Sequence, residues 1–215
     1  LQELIDRIQY CIGDEGSDAL ACLFMKPAAD DRIEAAGMNG HQFAMLAFSH
    51  DELRALLPPE GILVQKKYLT ELKKWLGTDE INLNLGDKRL FVRTENKAES
   101  LSLPLSSFQY PDYSVFLSRL KDDSVSRLTL SRTEAEDALM RIAIFNSESN
   151  RCTYFELSEK EALLTATGQD VGSASESLDV DYTGDIAKIA FPTSHLLTIL
   201  AHFSSSDLTL TLTGA

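Results

Sequence analysis

Leu1, Leu4, Ile5, Ile8 and Ile12 recur at helical spacing, and Gln2, Glu3, Asp6 and Arg7 fill the other face, so residues 1–12 predict an amphipathic helix. Gly13, Gly16 and Ser17 break it, and strand-like runs follow at 20–25, 32–37 and 42–48. Ser49 and Glu52 have capping-box spacing and predict a short helix over about 50–56, ended by Pro58, Pro59 and Gly61. The next helix is the clearest. Tyr68, Leu69, Leu72, Trp75 and Leu76 form one apolar stripe, and Gly77 is expected to close the helix. Lys66 and Lys67 recur about two turns later as Lys73 and Lys74, which makes a basic stripe beside the apolar one. Three segments then alternate with period two: Ile81, Leu83, Leu85; Leu90, Val92, Thr94; and Leu101, Leu103, Leu105. Each predicts a strand with one buried face.

Residues 118–124 are polar and charged, as in a linker, and the pattern then begins again. Leu128 and Leu130 alternate as a strand, and Ser131 with Glu134 makes a capping box. The helix it opens carries Ala135, Ala138, Leu139, Ile142 and Phe145 on one face. Strands are expected at 152–157, 162–167, 173–181 and 186–191. Pro192 suits a helix start, Leu196, Leu197, Ile199, Leu200 and Phe203 give that helix its apolar face, and a last strand covers 208–212. Both halves thus run helix, strands, helix, strands. Their residues also align: Leu4-Ile5-Asp6-Arg7-Ile8 with Ala138-Leu139-Met140-Arg141-Ile142, Gly37-Met38-Asn39-Gly40 with the segment Gly168 to Gly172, 64–75 with 191–202, and Asn82-Leu83-Asn84-Leu85 with Thr209-Leu210-Thr211-Leu212. A repeat of about 100 residues is the size of a small domain. The pattern therefore predicts an α+β fold of two tandem domains, 1–120 and 121–215, each with two helices packed on one side of an antiparallel sheet.

The chain has 215 residues, 44% of them hydrophobic and 25% charged, enough for cores that need no disulfide or metal. Cys11, Cys22 and Cys152 lack ligand spacing and read as three buried, reduced thiols of a cytoplasmic protein. No apolar run approaches the roughly 20 residues of a membrane span, and no signal peptide opens the chain. The start lacks Met, which suggests a piece of a longer protein. A net charge of −13 excludes a protein that grips nucleic acid over its whole surface by phosphate neutralisation. DNA contact must come from a local basic patch, or retention from something other than affinity. His41, His50, His195 and His202 have no carboxylate or cysteine at ligand spacing, and the Gly37–Gly40 turn lacks the Lys-Ser/Thr of a phosphate loop. No metal, cofactor or catalytic residue is expected, so the chain is not read as an enzyme.

Five segments, in order, resemble the beta subunits of bacterial DNA polymerase III, the sliding-clamp family. They are Leu63-Val64-Gln65-Lys66-Lys67-Tyr68-Leu69-Thr70-Glu71-Leu72; Phe108-Gln109-Tyr110-Pro111-Asp112-Tyr113; Asn39-Gly40-His41-Gln42-Phe43-Ala44; Arg127-Leu128-Thr129-Leu130 with Ala138-Leu139-Met140-Arg141; and Gly172-Ser173-Ala174-Ser175-Glu176. The resemblance covers the family's middle domain and most of its third. It implies a ring of head-to-tail chains, normally a homodimer, that encloses duplex DNA with helices inward and acidic sheets outward, so that retention is topological. Lys66, Lys67, Lys73, Lys74, Arg7 and Arg141 would then face DNA, although a solvated helix face is the plain reading of such a stripe. It further implies a hydrophobic cleft for short linear peptides of the replicative polymerase, clamp loader and repair proteins. The matching residues here are Leu20, Met38, Gly40, His41, Gln42, Phe43, Pro111, Val115, Phe116, Pro192 and His195. Gln42 and Val115 replace usual arginines and His195 a common tyrosine, and plain core packing is the alternative for Leu20, Phe43 and Phe116. Without the family's first domain, the chain alone is expected to be monomeric or weakly dimeric.

Overall fold

The apolar stripe that opens the chain folds as α1 (Gln2–Gln9), burying Leu4, Ile5 and Ile8. A single 3-10 turn (Ala19–Ala21) leads into β1 (Cys22–Pro27), β2 (Ile33–Met38) and β3 (Phe43–Phe48). There follow α2 (Asp51–Leu56), β4 (Ile62–Gln65), α3 (Lys66–Trp75), β5 (Ile81–Gly86), β6 (Arg89–Thr94) and β7 (Ser100–Pro104). The later elements are α4 (Ser114–Arg119), β8 (Ser126–Ser131), α5 (Arg132–Ala143), β9 (Cys152–Leu157), β10 (Glu161–Gly168), β11 (Gly172–Thr183), β12 (Lys188–Pro192), α6 (Thr193–Ala201) and β13 (Asp207–Leu212). This computed structural model describes residues 1–14, 18–78, 80–96, 98–120, 125–146, 150–168 and 172–213. The chain divides into two compact units, Leu1–Pro111 and Asp112–Ala215, whereas the hydrophobic pattern sets the boundary at 120.

Every strand pairing is antiparallel. The first unit holds the sheets β3-β2-β1-β4 and β5-β6-β7, and the second holds β12-β9-β10-β11-β8-β13. In β10 the side chains alternate, with Ala162, Leu164 and Ala166 buried and Glu161, Leu163 and Thr167 exposed, so one sheet face meets the helices and the other meets solvent. α5 and α6 lie together on the covered face, as α1 and α3 do in the first unit. Two separate cores result, one around Ile5, Ile8, Ile33 and Leu72, the other around Leu128, Leu139, Phe155 and Leu164. Apart from the 3-10 turn and α2, which have no counterpart in the second unit, the series α1-β1-β2-β3-β4-α3-β5 matches α5-β9-β10-β11-β12-α6-β13 in order.

Several local expectations change. Ser49 does not cap α2; His50 does, its Nδ1 accepting from the Leu53 amide at 3.2 Å. Gly77 does not close α3 in a left-handed turn, because the helix ends one residue earlier with Leu76 extended (φ −64, ψ 121). β4 was not expected, since its apolar residues run straight into α3 without a break. α4 also lies outside the expected elements. It buries none of its residues, so no apolar stripe marks it, and its start is held by Asp112 Oδ1 accepting from the Ser114 amide at 2.9 Å. Ser131 does cap α5, accepting from the Glu134 amide at 3.5 Å. Cys11 and Cys22 are buried, but Cys152 is only half-buried, at the start of a strand rather than inside a core.

Candidate nucleic-acid interface

α1 and α3 run antiparallel and are stitched along their length. Gln2 Nε2 donates to the Leu76 carbonyl at 2.6 Å, Gln9 Nε2 donates to Thr70 Oγ1 at 2.6 Å, and Lys73 pairs with Asp6 between them. At the far end Lys66 Nζ donates to the Ile12 carbonyl at 2.8 Å and to Asp14. Burying Leu69 and Leu72 turns Lys67 and Lys74 outward, where both are exposed. Lys67 Nζ stands 4.8 Å from the Tyr68 ring centroid, a cation–π contact.

Pairing divides the six expected cations. Lys66 with Asp14, Lys73 with Asp6, Arg7 with Glu3 and Arg141 with Glu176 form ion pairs. The Arg141 pair is two-pronged, Nε to Oε1 at 2.6 Å and Nη2 to Oε2 at 2.8 Å. Hydrogen bonding to Lys66 holds the Asp14 carboxyl below its usual range, and Arg141 does the same to Glu176. Lys67 and Lys74 are the two of the six not engaged by a carboxylate among the described residues. Glu3 was visible in the sequence as the i, i+4 partner of Arg7. Asp6, Asp14 and Glu176 were not, because each meets its cation across separate elements.

The second unit's helices differ. α6 carries no Lys or Arg and exposes Ser194, His195 and Thr198, while α5 exposes Glu134, Asp137, Met140 and Arg141. The helix-free sheet face is acidic: Glu156, Glu161, Asp179 and Asp181 project there, with Lys188 on Glu156 and Lys160 on Asp181.

The expected cleft residues fall into distinct places. Met38 and Phe43 are register partners at the end of β2 and β3, and Gly40, His41 and Gln42 form the turn between them. Asn39 Oδ1 builds that turn by accepting from the His41 amide at 3.0 Å and the Gln42 amide at 2.8 Å, and Gly40 takes φ +86. Leu20 sits in the 3-10 turn that packs against β2. Pro111 follows Tyr110, whose ring stacks on Phe24 with centroids 4.7 Å apart. In the second unit Val115 and Phe116 of α4 are each 53% exposed, which overturns core packing for Phe116. Pro192 precedes the first turn of α6 and His195 lies exposed in it. The turn is anchored by Thr193, which is buried and hydrogen-bonded to Thr153 Oγ1 and Asn146 Nδ2, each at 2.7 Å. No helix is long and apolar enough to cross a membrane, and no metal-binding cluster occurs, among the described residues.

Residues 120–215 match the model for the C-terminal domain of the DNA polymerase III beta subunit. The beta sliding clamp of Caulobacter vibrioides is 24% identical over 203 residues, covering 93% of this chain and 53% of that protein. That of Chlamydia trachomatis is 25% identical over 210 residues, covering 94% and 47%. Among solved structures, the C. crescentus beta sliding clamp superposes with a TM-score of 0.85 at 21% identity, covering 97% of this chain and 56% of that one. A Pseudomonas aeruginosa clamp bound to griselimycin gives 0.84 at 21%, covering 99% and 56%. The chain thus spans about half the length of the curated relatives it matches. Residues 120–215 are thus similar to the C-terminal domain of the DNA polymerase III beta subunit, and the whole chain shares the fold of the bacterial beta sliding clamps.

Proposed function

We propose that this chain works as a cytoplasmic, non-catalytic DNA sliding clamp, forming part of a ring that encloses duplex DNA and tethers a replicative polymerase, a clamp loader and repair proteins through short linear peptides. The observation that carries this is the α1–α3 pair, a cross-stitched two-helix wall on which, among the described residues, only Lys67 and Lys74 of the expected cations escape a carboxylate. A wall with few free charges holds phosphates weakly, and weak, mobile contacts suit sliding on DNA retained by topology. The domains would be the two compact units, and peptide docking would draw on the β2–β3 turn, Leu20 and Pro111 of the first unit and on Val115, Phe116, Pro192 and His195 of the second, each taken by itself. The test is retention on circular duplex DNA by the assembled clamp, followed by linearisation. Release on cutting is expected; equal retention on cut and uncut DNA would sink the encirclement.

The ion pairing of Lys66, Lys73, Arg7 and Arg141 also favours a second reading, a peptide-binding module that never encircles DNA. Peptide capture without any loading onto circular DNA would select it.

A further inference from the structure

The β2–β3 turn holds the one Asn-Gly pair in the chain, Asn39-Gly40; each of the other five asparagines precedes a larger residue. Ring closure between an asparagine side chain and the next backbone nitrogen needs three things. The carboxamide must turn forward along the chain, the nitrogen must be free to approach, and the oxygen that gains charge must be supported. The turn supplies all three. Asn39 Oδ1 accepts from the His41 amide at 3.0 Å and the Gln42 amide at 2.8 Å, which folds the carboxamide forward past Gly40. Gly40 is exposed, at φ +86, and a Cβ built on it would meet nothing within 4 Å. Its own N–H enters no hydrogen bond among the described residues. The two donors on Oδ1 stand where a tetrahedral intermediate would carry its negative charge. Asn39 Nδ2, the nitrogen that would depart, has only a long contact to Gln42 Oε1 at 3.5 Å.

We propose that Asn39 is a site of self-modification by deamidation. The Gly40 nitrogen gives its proton to hydroxide and bonds to Asn39 Cγ. The bond from Cγ to Nδ2 breaks, and Nδ2 takes a proton from water and leaves as ammonia. A five-membered succinimide remains, with no change of oxidation state. Water then opens it at either carbonyl. One opening gives Asp; the other gives isoaspartate, in which the peptide link runs through the former side chain. Both put a carboxylate in place of a neutral amide. The isoaspartate also lengthens the backbone by a methylene between Met38 and Phe43, which are register partners, so the end of the hairpin must rearrange. The site stands whether or not the turn docks peptides.

The test holds the full 215-residue chain at mildly alkaline pH and follows intact mass and released ammonia. Peptide mapping then locates the change, and an isoaspartyl methyltransferase with labelled S-adenosylmethionine detects the isoaspartate. A gain of a single dalton at Asn39 ahead of every other asparagine is expected, with matching ammonia and methyl label on the same peptide. The rate should lie within about tenfold of that of a capped peptide of residues 36–43, whereas a route through global unfolding would lag it about a thousandfold or more. Gly40→Ala crowds the attacking nitrogen and should slow the reaction about tenfold or more. Asn39→Gln, whose longer side chain would have to close a six-membered ring, should release no ammonia over the same period. Reaction at another asparagine first, conversion only in unfolding urea, or an Asn39→Gln chain that reacts as fast as the natural one would each overturn the proposal.

Discussion

Asp6 and Asp14 decide how much charge the α1–α3 pair offers to a polyanion, because each occupies a lysine that would otherwise reach outward. With Lys67 and Lys74 as the cations of this wall that no carboxylate engages among the described residues, the dependence of log K on log salt for duplex DNA should have a slope of about −1.8 if DNA contacts that wall alone. Asp6→Asn or Asp14→Asn should steepen that slope by about 0.9 each and tighten binding at low salt. A slope that ignores both changes would remove these carboxylates from the account. The thiols give a simpler test. Burial raises the pKa of Cys11 and Cys22 and shields them, so an alkylating reagent at neutral pH should label Cys152 alone until the chain is unfolded. Labelling counted by intact mass checks it. At this scale the cations were legible in the sequence and their partners were not, since an ion pair between elements has no sequence period.

Among the elements, α1 sits unusually close to β2. A Cβ at Gly37 would lie 2.7 Å from both Ile12 Cγ1 and Ile8 Cγ2, so the glycine here serves close packing. Gly37→Ala should destabilise the first unit by about 1–3 kcal/mol, measured by urea unfolding. In the second unit Thr193→Val leaves Asn146 and Thr153 without their shared partner and should cost about 1–3 kcal/mol. A stability unchanged by that swap would show that water replaces the threonine. Helices with a continuous apolar face, such as α3 and α5, and strands with strict alternation, such as β5, β6 and β9, were readable from the pattern. β4 and α4 were not. The first is a four-residue apolar run fused to a helix, and the second buries nothing, so neither leaves a period to read. The His50 cap escaped because a ring nitrogen took the role expected of a hydroxyl.

On the scale of the whole chain, the two cores should respond differently to alkali. Burial raises the pKa of Tyr10, Cys11, Cys22 and Tyr110, all in the first unit. A raised folded pKa contributes stability that is complete below the unfolded value and lost as pH climbs through the folded one. The first unit should therefore weaken from about pH 9 upward, where unfolded thiols, whose ordinary pKa is 9.0, ionise. Trp75, the chain's one tryptophan, lies in α3 and reports that melting by fluorescence. A midpoint constant from pH 8 to 10 would contradict it. The duplication and the α+β class were visible in the sequence because helices and strands recur in one order.

The six-stranded sheet also carries a consequence for synthesis. β8, the first strand of its sheet to leave the ribosome, pairs with β13, and the Thr129–Thr209 contact joins residues 80 apart. The nascent second unit must wait for nearly all of its own length before that pairing can close, which favours slow folding. The first unit, whose sheets join nearer neighbours, can fold while the second is still being made.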